Sequence, residues 1–313
     1  MDNSLALGVD IGGTNVAFGL TDYSGELLLE QSLNTASFHT AEEMVNTIYD
    51  NINNFSKGFN LVGIGIGAPN GNYFNGTIEF APNLKWDGII PLVSIFEDRF
   101  NSKAILTNDA NAAAIGEMIY GSARDLKDFV TITLGTGCGS GIIVNRQLVY
   151  GHDGFAGEYG HVRVVTDGRL CGCGRRGCLE TYASATGVVR SINEFDSENK
   201  ENSKIFSIEN PSATDVFRIA KEGDAFCKDI IEYTAKILGE ALADFACFSS
   251  PEAYILFGGI AQNGPEFKNL VKKYMEAALL NIYKNKIDIR VSNLHDKNAA
   301  ILGASSLVWN QLS

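Results

Sequence analysis

Residues 169–180 read RLCGCGRRGCLE, and three of the chain's six cysteines (Cys171, Cys173 and Cys178) fall inside eight positions of it. Thiolates so closely spaced suit a soft metal ion, a redox pair, a disulfide or a zinc knuckle for nucleic acid. His161 stands ten residues upstream, which gives H-x₉-C-x-C-x₄-C. The remaining cysteines, Cys138, Cys227 and Cys247, are scattered and read as packing residues.

Glycine turns form a second chemical theme. In VDIGGTN, Asp10 ends a hydrophobic run and Gly12, Gly13 and Thr14 follow. Glycines let the backbone approach a ligand and aim successive N–H groups at an anion. The Thr14 hydroxyl adds a donor, and Asp10 is placed to hold Mg²⁺ through water. LGTGCGSG offers a second turn at Thr136 and Gly137, and ILFGGIAQNG a third at Gly258 and Gly259. The chain has no Walker A motif and no G-x-G-x-x-G after its first strand. Three such turns in one chain point to a nucleotide. In LTNDANAAA, Asn108 and Asp109 stand at a strand–helix junction. A carboxylate there serves as the helix N-cap or takes the proton of an attacking hydroxyl. The two roles are compatible.

These residues need strands and helices to hold them. LALGVDIGGTNVAFGLTDYSGELLLEQSLNT predicts strands broken at GGT and YSG. TAEEMVNTIYDNINNFSKG predicts a helix with a Thr40/Glu43 capping box and an apolar face of Met44, Ile48, Ile52 and Phe55. LVGIGIGAP and AILTND read as buried strands, and ANAAAIGEMIYG as a helix ending near Gly121. The strand–glycine turn–strand pattern then recurs, since TITLGTGCGSGIIV parallels LGVDIGGTNVAFGL. This predicts a duplicated α/β fold with a cleft between the copies. NEFDSENKENSKIFSIENPSAT, residues 193–214, reads as a surface excursion. The remainder predicts helix over DVFRIAKEGDAFCKDIIEYTAKILGEALADFACFS, then strand, helix, a short strand and a final helix from about Asn298.

Composition sets outer bounds. The 313 residues allow about two domains at roughly 100–200 residues each. With 45% hydrophobic and 20% charged residues the chain affords an ordinary core. The net charge of −12 opposes a broad nucleic-acid footprint, which needs clustered Lys and Arg. No basic n-region with an apolar h-region opens the sequence, and no apolar run nears the ~18 residues of a membrane span. A cytoplasmic protein is expected, where structural disulfides are rare.

Taken together, the motifs resemble the ROK family of sugar kinases and related regulators, most closely its bacterial glucokinase-like members. The resemblance rests on VDIGGT, GIGAP, FAPNLKW, NDANAAA and GTGCGSG in order, joined to GHDGFAGEYGHVRVVTDGRLCGCGRRGCLE, and spans essentially the whole chain. It implies an actin-like ATPase fold of two ribonuclease-H-like α/β domains, residues 1–115 with 294–313 and residues 116–293. It implies ATP on Asp10, Gly12–Thr14, Thr136–Gly137 and Gly258–Gly259, and Asp109 as the base for the sugar 6-hydroxyl. Asn83, Asn108, Asp109, Glu158, His161 and Glu180 match positions that bind sugar hydroxyls. One departure is Asn70: Ala68-Pro69-Asn70-Gly71 stands where the family commonly has Gly-Pro-Gly near the sugar. Asn tolerates the left-handed conformation better than most residues.

The family also places zinc on His161, Cys171, Cys173 and Cys178. Three thiolates and an imidazole close a tetrahedral site with no open position, as in a structural ion. A redox pair favours C-x-x-C, which is absent. The metal would then hold the loop that carries Glu180, while the second ring nitrogen of His161 faces the sugar. The expected function is ATP-dependent phosphorylation of a hexose at O6, glucose first, with Mg²⁺. N-acetylglucosamine, N-acetylmannosamine, mannose and fructose are alternative substrates. A sugar-responsive repressor is the competing class; such proteins carry a helix-turn-helix ahead of the core, and here the first strand opens near Leu5. The resemblance implies a homodimer.

Overall fold

The computed structural model describes residues 3–53, 55, 58–81, 84–294 and 296–312. The chain divides into two compact units. One is Met1–Asp125 with Gln147–Ala156 and Leu294–Ser313, and the other is Leu126–Arg146 with Gly157–Asn293. The expected boundary at 115 falls inside helix α3 (Asp109–Ile119). That helix stays with the first unit because Gly116 and Ala112 meet Gly303 of the C-terminal helix α8 (Asp296–Leu312) without intervening side chains.

The first unit is built on strands β1 (Ser4–Ile11), β2 (Asn15–Thr21), β3 (Leu27–Asn34), β4 (Asn60–Gly67) and β8 (Ala104–Thr107), in the order β3-β2-β1-β4-β8. The first three are antiparallel neighbours; β1, β4 and β8 run parallel. Parallel neighbours need crossovers, supplied here by helices α1 (Ala41–Asn53) and α2 (Leu92–Phe100). Met44, Ile48 and Ile52 of α1 are buried as the spacing predicts, but Phe55 lies past the helix end and is partly exposed. The Thr40 hydroxyl accepts the Glu43 N–H, while the Glu43 carboxylate reaches the N–H of His39, one residue before the cap. On the opposite face α8 lies close to the sheet at Gly8 and Gly65, where a side chain would strike the carbonyls of Ile301 and Ala304. A small antiparallel sheet, β5 (Gly71–Asn72), β6 (Thr77–Glu79) and β7 (Ile89–Ile90), is inserted between β4 and α2. The short strand β11 (Gln147–Leu148) also falls in this unit.

The second unit repeats the plan. Strands β9 (Phe129–Leu134) and β10 (Cys138–Val144) are an antiparallel pair; β12 (Ala253–Phe257) runs parallel to β9, and β13 (Asp288–Val291) parallel to β12. The duplication read from the glycine turns is therefore topological: β9, β10, β12 and β13 correspond to β1, β2, β4 and β8. Helices α4 (Ala185–Glu194), α5 (Ala213–Lys221), α6 (Ala225–Ser249) and α7 (Pro265–Ala278) cover this sheet. The stretch expected as one helix from Asp215 is two, because Gly223 turns at φ +105° and Asp224 caps α6 through the N–H of Cys227. Residues 193–214 are pinned rather than loose. Ile205 is fully buried, the Phe195 ring packs tilted against Tyr233, and Asp224 and Asp229 accept hydrogen bonds from Ser203 and Ser197.

Candidate active site

Parallel strands present their C-terminal ends along one edge, where ligands of open α/β sheets bind. In the first unit Asp10, Gly67 and Thr107 stand in register across β1, β4 and β8. The Gly12–Thr14 turn, the Ala68–Gly71 loop and the Asn108–Asp109 junction follow directly. A methyl group on Gly67 would lie 3.4 Å from Asp10 Oδ1 and 3.6 Å from Asp109 Cα, so the two aspartates flank the end of β4.

Asn108, not Asp109, caps α3: its Oδ1 accepts the N–H groups of Ala110 at 2.7 Å and Asn111 at 3.4 Å. Asp109 is the first helical residue, and its Oδ1 accepts the same Ala110 N–H at 2.8 Å. Asn108 thus meets the capping role, and the Asp109 carboxylate is not needed for it. Surrounding protein desolvates the Asp109 carboxyl and raises its pKa, opposed by the backbone N–H groups of Ala110 and Asp109. Burial, and then the charge of Asp109, raises Asp10 to about 7. Two carboxyls competing at one strand edge call for a proton or a cation. The Gly12 turn is closed by Gly12 N–H to Asn15 O at 2.9 Å and by the Thr35 hydroxyl to Gly12 O at 2.7 Å, and it leaves Gly13 and Thr14 exposed.

The second unit places its glycine turns at the matching edge. Gly135–Gly137 follows β9 and Gly258–Gly259 follows β12, which pair through Phe257 and Thr133. Gly258, at φ +97°, packs where a side chain would meet the Leu134 carbonyl. The first turn is tied down from one segment: Ala185 N–H donates to Gly135 O at 2.8 Å, the Thr186 hydroxyl to Thr136 O at 2.9 Å, and Cys138 N–H to Glu180 Oε2 at 3.1 Å.

His161, Cys171, Cys173 and Cys178 converge, with all four ligand atoms within 4.8 Å of one another. Cys171 Sγ stands 3.7 Å from His161 Nδ1, and Cys173 Sγ 3.7 Å from Cys178 Sγ. A tetrahedral zinc with bonds of ~2.3 Å to sulfur and ~2.0 Å to nitrogen sets S···S near ~3.8 Å and S···N near ~3.5 Å. The donor set fits that ion in identity, number and spacing. Nδ1 faces the thiols, so Nε2 points away, 4.0 Å from Glu158 Oε2. Tight turns wrap the loop: Cys171 N–H bonds Arg175 O at 2.8 Å and Gly174 N–H bonds Cys171 O at 3.0 Å. Glu180 joins the two features, with Oε2 on Cys138 N–H and Oε1 3.6 Å from Cys171 Sγ.

Arg169 is the residue that the sequence reading passed over. Its side chain is 8% exposed and donates to Thr181 O at 2.7 Å, Gly187 O at 3.0 Å and Ser191 Oγ at 2.9 Å. It also pairs with Glu194 at 2.7 Å and lies over the Tyr182 ring. The arginine therefore bolts the cysteine loop to α4. The only sequence signal was its place at the head of the cysteine run. Of the scattered cysteines, Cys138 and Cys227 are buried, and burial, followed by the Glu180 and Asp224 charges, raises each to about 12. They are packing residues as expected, but Cys247 is exposed. Asn83 lies outside the described residues.

Two sheets of matched topology, each with glycine turns at its parallel strand ends, define the actin-like ATPase class of α/β fold. The ROK family model matches residues 6–311, and the chain belongs to the ROK family. It is 33% identical to a glucokinase of Halalkalibacterium halodurans, over 99% of this chain and 97% of that one. It is 34% identical to a ROK family glucokinase of Streptomyces griseus solved with glucose and AMPPNP, with a TM-score of 0.79 and coverage of 97% and 98%. It is also 29% identical to a xylose repressor of Caldicellulosiruptor bescii, over 98% of this chain and 78% of the repressor.

Proposed function

We propose that this chain is an ATP-dependent kinase that transfers the γ-phosphoryl group of ATP to the 6-hydroxyl of a hexose, with glucose the first candidate. The observation that carries this reading is the Asp109 carboxyl, desolvated and freed from capping by Asn108, in a chain similar over nearly its full length to glucokinases. The sugar O6 attacks the γ-phosphorus, its proton passes to Asp109 Oδ2, and the bond from phosphorus to the β-phosphate oxygen breaks to release ADP. Phosphoryl transfer needs little covalent help and much positioning. The turns at Gly12–Thr14 and Gly135–Gly137 supply N–H donors to the phosphates. The base of ATP takes the groove of about 570 Å³ among α5, α6 and α7, lined by Phe217, Ile231, Phe267 and Leu270. That groove opens beside the third glycine turn, since Asn263 lines it and donates to Gly259 O at 2.8 Å.

Asp10 would hold Mg²⁺ through water, and the ion would neutralise phosphate charge during transfer. Zinc on His161, Cys171, Cys173 and Cys178 is structural, and Asn83, Asn108, Glu158, His161 and Glu180 contact the sugar hydroxyls. Among the described residues no helix is long and apolar enough to cross a membrane. A cytoplasmic homodimer completes the reading, to be measured by light scattering.

Coupled ADP release over glucose, mannose, fructose, N-acetylglucosamine and N-acetylmannosamine tests the proposal and identifies the substrate. No release with any of these hexoses overturns it. Acidity supplies a second check. An acid whose folded pKa is raised binds its proton more tightly when folded, so the folded state gains below the unfolded pKa and loses that gain as pH rises to the folded value. For Asp10 the window runs from 3.8 to about 7. Metal-free protein is therefore expected to lose stability across that window, and D10N to lose less, measured by denaturant unfolding at several pH values. Equal pH slopes for both proteins would contradict the assignment.

A further inference from the structure

The departure at Asn70 is accounted for by none of the roles above. Asn70 sits at φ +52°, in the left-handed region that glycine fills without strain. Its side chain does what glycine cannot. Nδ2 donates to Glu79 O at 2.9 Å and to Phe80 O at 3.3 Å, and the Asn70 carbonyl accepts the Glu79 N–H at 3.2 Å. Phe80 is itself left-handed at φ +49°, a strained conformation for a bulky residue, which persists only where surrounding bonds hold it. Phe80 is 69% exposed, so packing does not hold it there; its N–H donates to Gly88 O at 2.9 Å, and Asn70 clamps the carbonyls on both sides of its N–Cα–C unit.

The other end of the clamp is tied to the catalytic edge. Ala68 N–H donates to Thr107 O at 3.0 Å, and Gly71 N–H to Ala68 O at 3.1 Å. Thr107 lies two residues before Asp109. A short run of bonds thus connects the β8 end, through loop 68–71, to the segment 79–81, which leads in sequence to Asn83.

We infer that Asn70 is a positioning residue for the hexose: it fixes segment 79–81 relative to Asp109 and so sets hexose affinity and selectivity. The inference rests on the hexose-kinase reading. N70G keeps the left-handed turn and removes only the amide. The expected result is a hexose KM raised roughly tenfold, as for two lost hydrogen bonds, with ATP KM unchanged and Tm lowered by no more than a few degrees. N70D, which points a carboxylate at two carbonyls, is expected to do more. Selectivity between glucose and mannose should narrow in both. An unchanged hexose KM in N70G overturns the inference, as does a parallel rise of both KM values with a fallen Tm, the mark of a merely structural role. If the wild-type chain phosphorylates no hexose, the functional reading fails. Amide hydrogen exchange at Phe80 and Ala81 then decides the clamp: faster exchange in N70G upholds it, and equal exchange refutes it.

Discussion

Asp109→Asn is expected to lower kcat by about 10²–10⁴-fold, the usual contribution of a general base, while hexose still binds. The substitution is close to isosteric. An asparagine Oδ1 still accepts the Ala110 N–H, and Asn108 still caps α3, so the helix start survives. What is lost is the acceptor for the O6 proton. The loss should fall on kcat, with little change in hexose affinity measured by intrinsic fluorescence, because the sugar keeps its other contacts. A second signature accompanies it. Burial and then the charge of Asp109 raise Asp10, so removing that charge should move the Asp10 titration down from about 7. Turnover within about threefold of wild type would exclude Asp109 as the base, since no general-base role is worth so little.

Cys173→Ala is expected to abolish stoichiometric zinc, measured by elemental analysis of the purified protein. Cys173 is the exposed ligand, so its removal opens the site without emptying a core position. Three remaining ligands bind a structural ion far more weakly, and the binding free energy of such an ion is folding free energy. Loop 162–178 has two isolated β-bridges and no helix, so on the zinc reading the ion adds to the bonds that order it. Limited proteolysis should cut there first. Both KM values should rise by about tenfold or more: hexose through His161 and Glu180, and ATP through the bonds from Glu180, Ala185 and Thr186 to the Gly135–Cys138 turn. Cys173→His, which restores a nitrogen ligand, should recover metal and both constants in part. Full zinc occupancy in Cys173→Ala would remove the cysteine cluster from the metal assignment.

Much of the candidate site is legible in the sequence. Glycine turns after apolar runs mark the ends of β1, β9 and β12, because backbone turns of that kind leave few other choices. The H-x₉-C-x-C-x₄-C spacing was equally legible, since four soft ligands in eighteen residues have few uses. Long-range packing was not. Arg169 looked like one arginine among three, and nothing local says that its partners are carbonyls of residues 181 and 187. The sequence also allows the N-cap at Asp109, since Asn108 and Asp109 are both good caps and only the backbone shows that Asn108 is the extended one. The break between α5 and α6 was available in Gly223-Asp224, a stop followed by a cap, but the apolar period on both sides masked it.

The wrapped cysteine loop has a consequence beyond local stability. A segment whose order is supplied by an ion obeys mass action, so its folded fraction follows the free concentration of that ion. Its ligands also compete with protons, and the Cys₃His set must shed them before the ion can bind. On the proposed reading, catalytic competence in this chain would then vary with the surrounding metal buffer and with acidity, although zinc itself takes no part in the phosphoryl transfer. A cell short of the metal would hold the same amount of polypeptide and less enzyme.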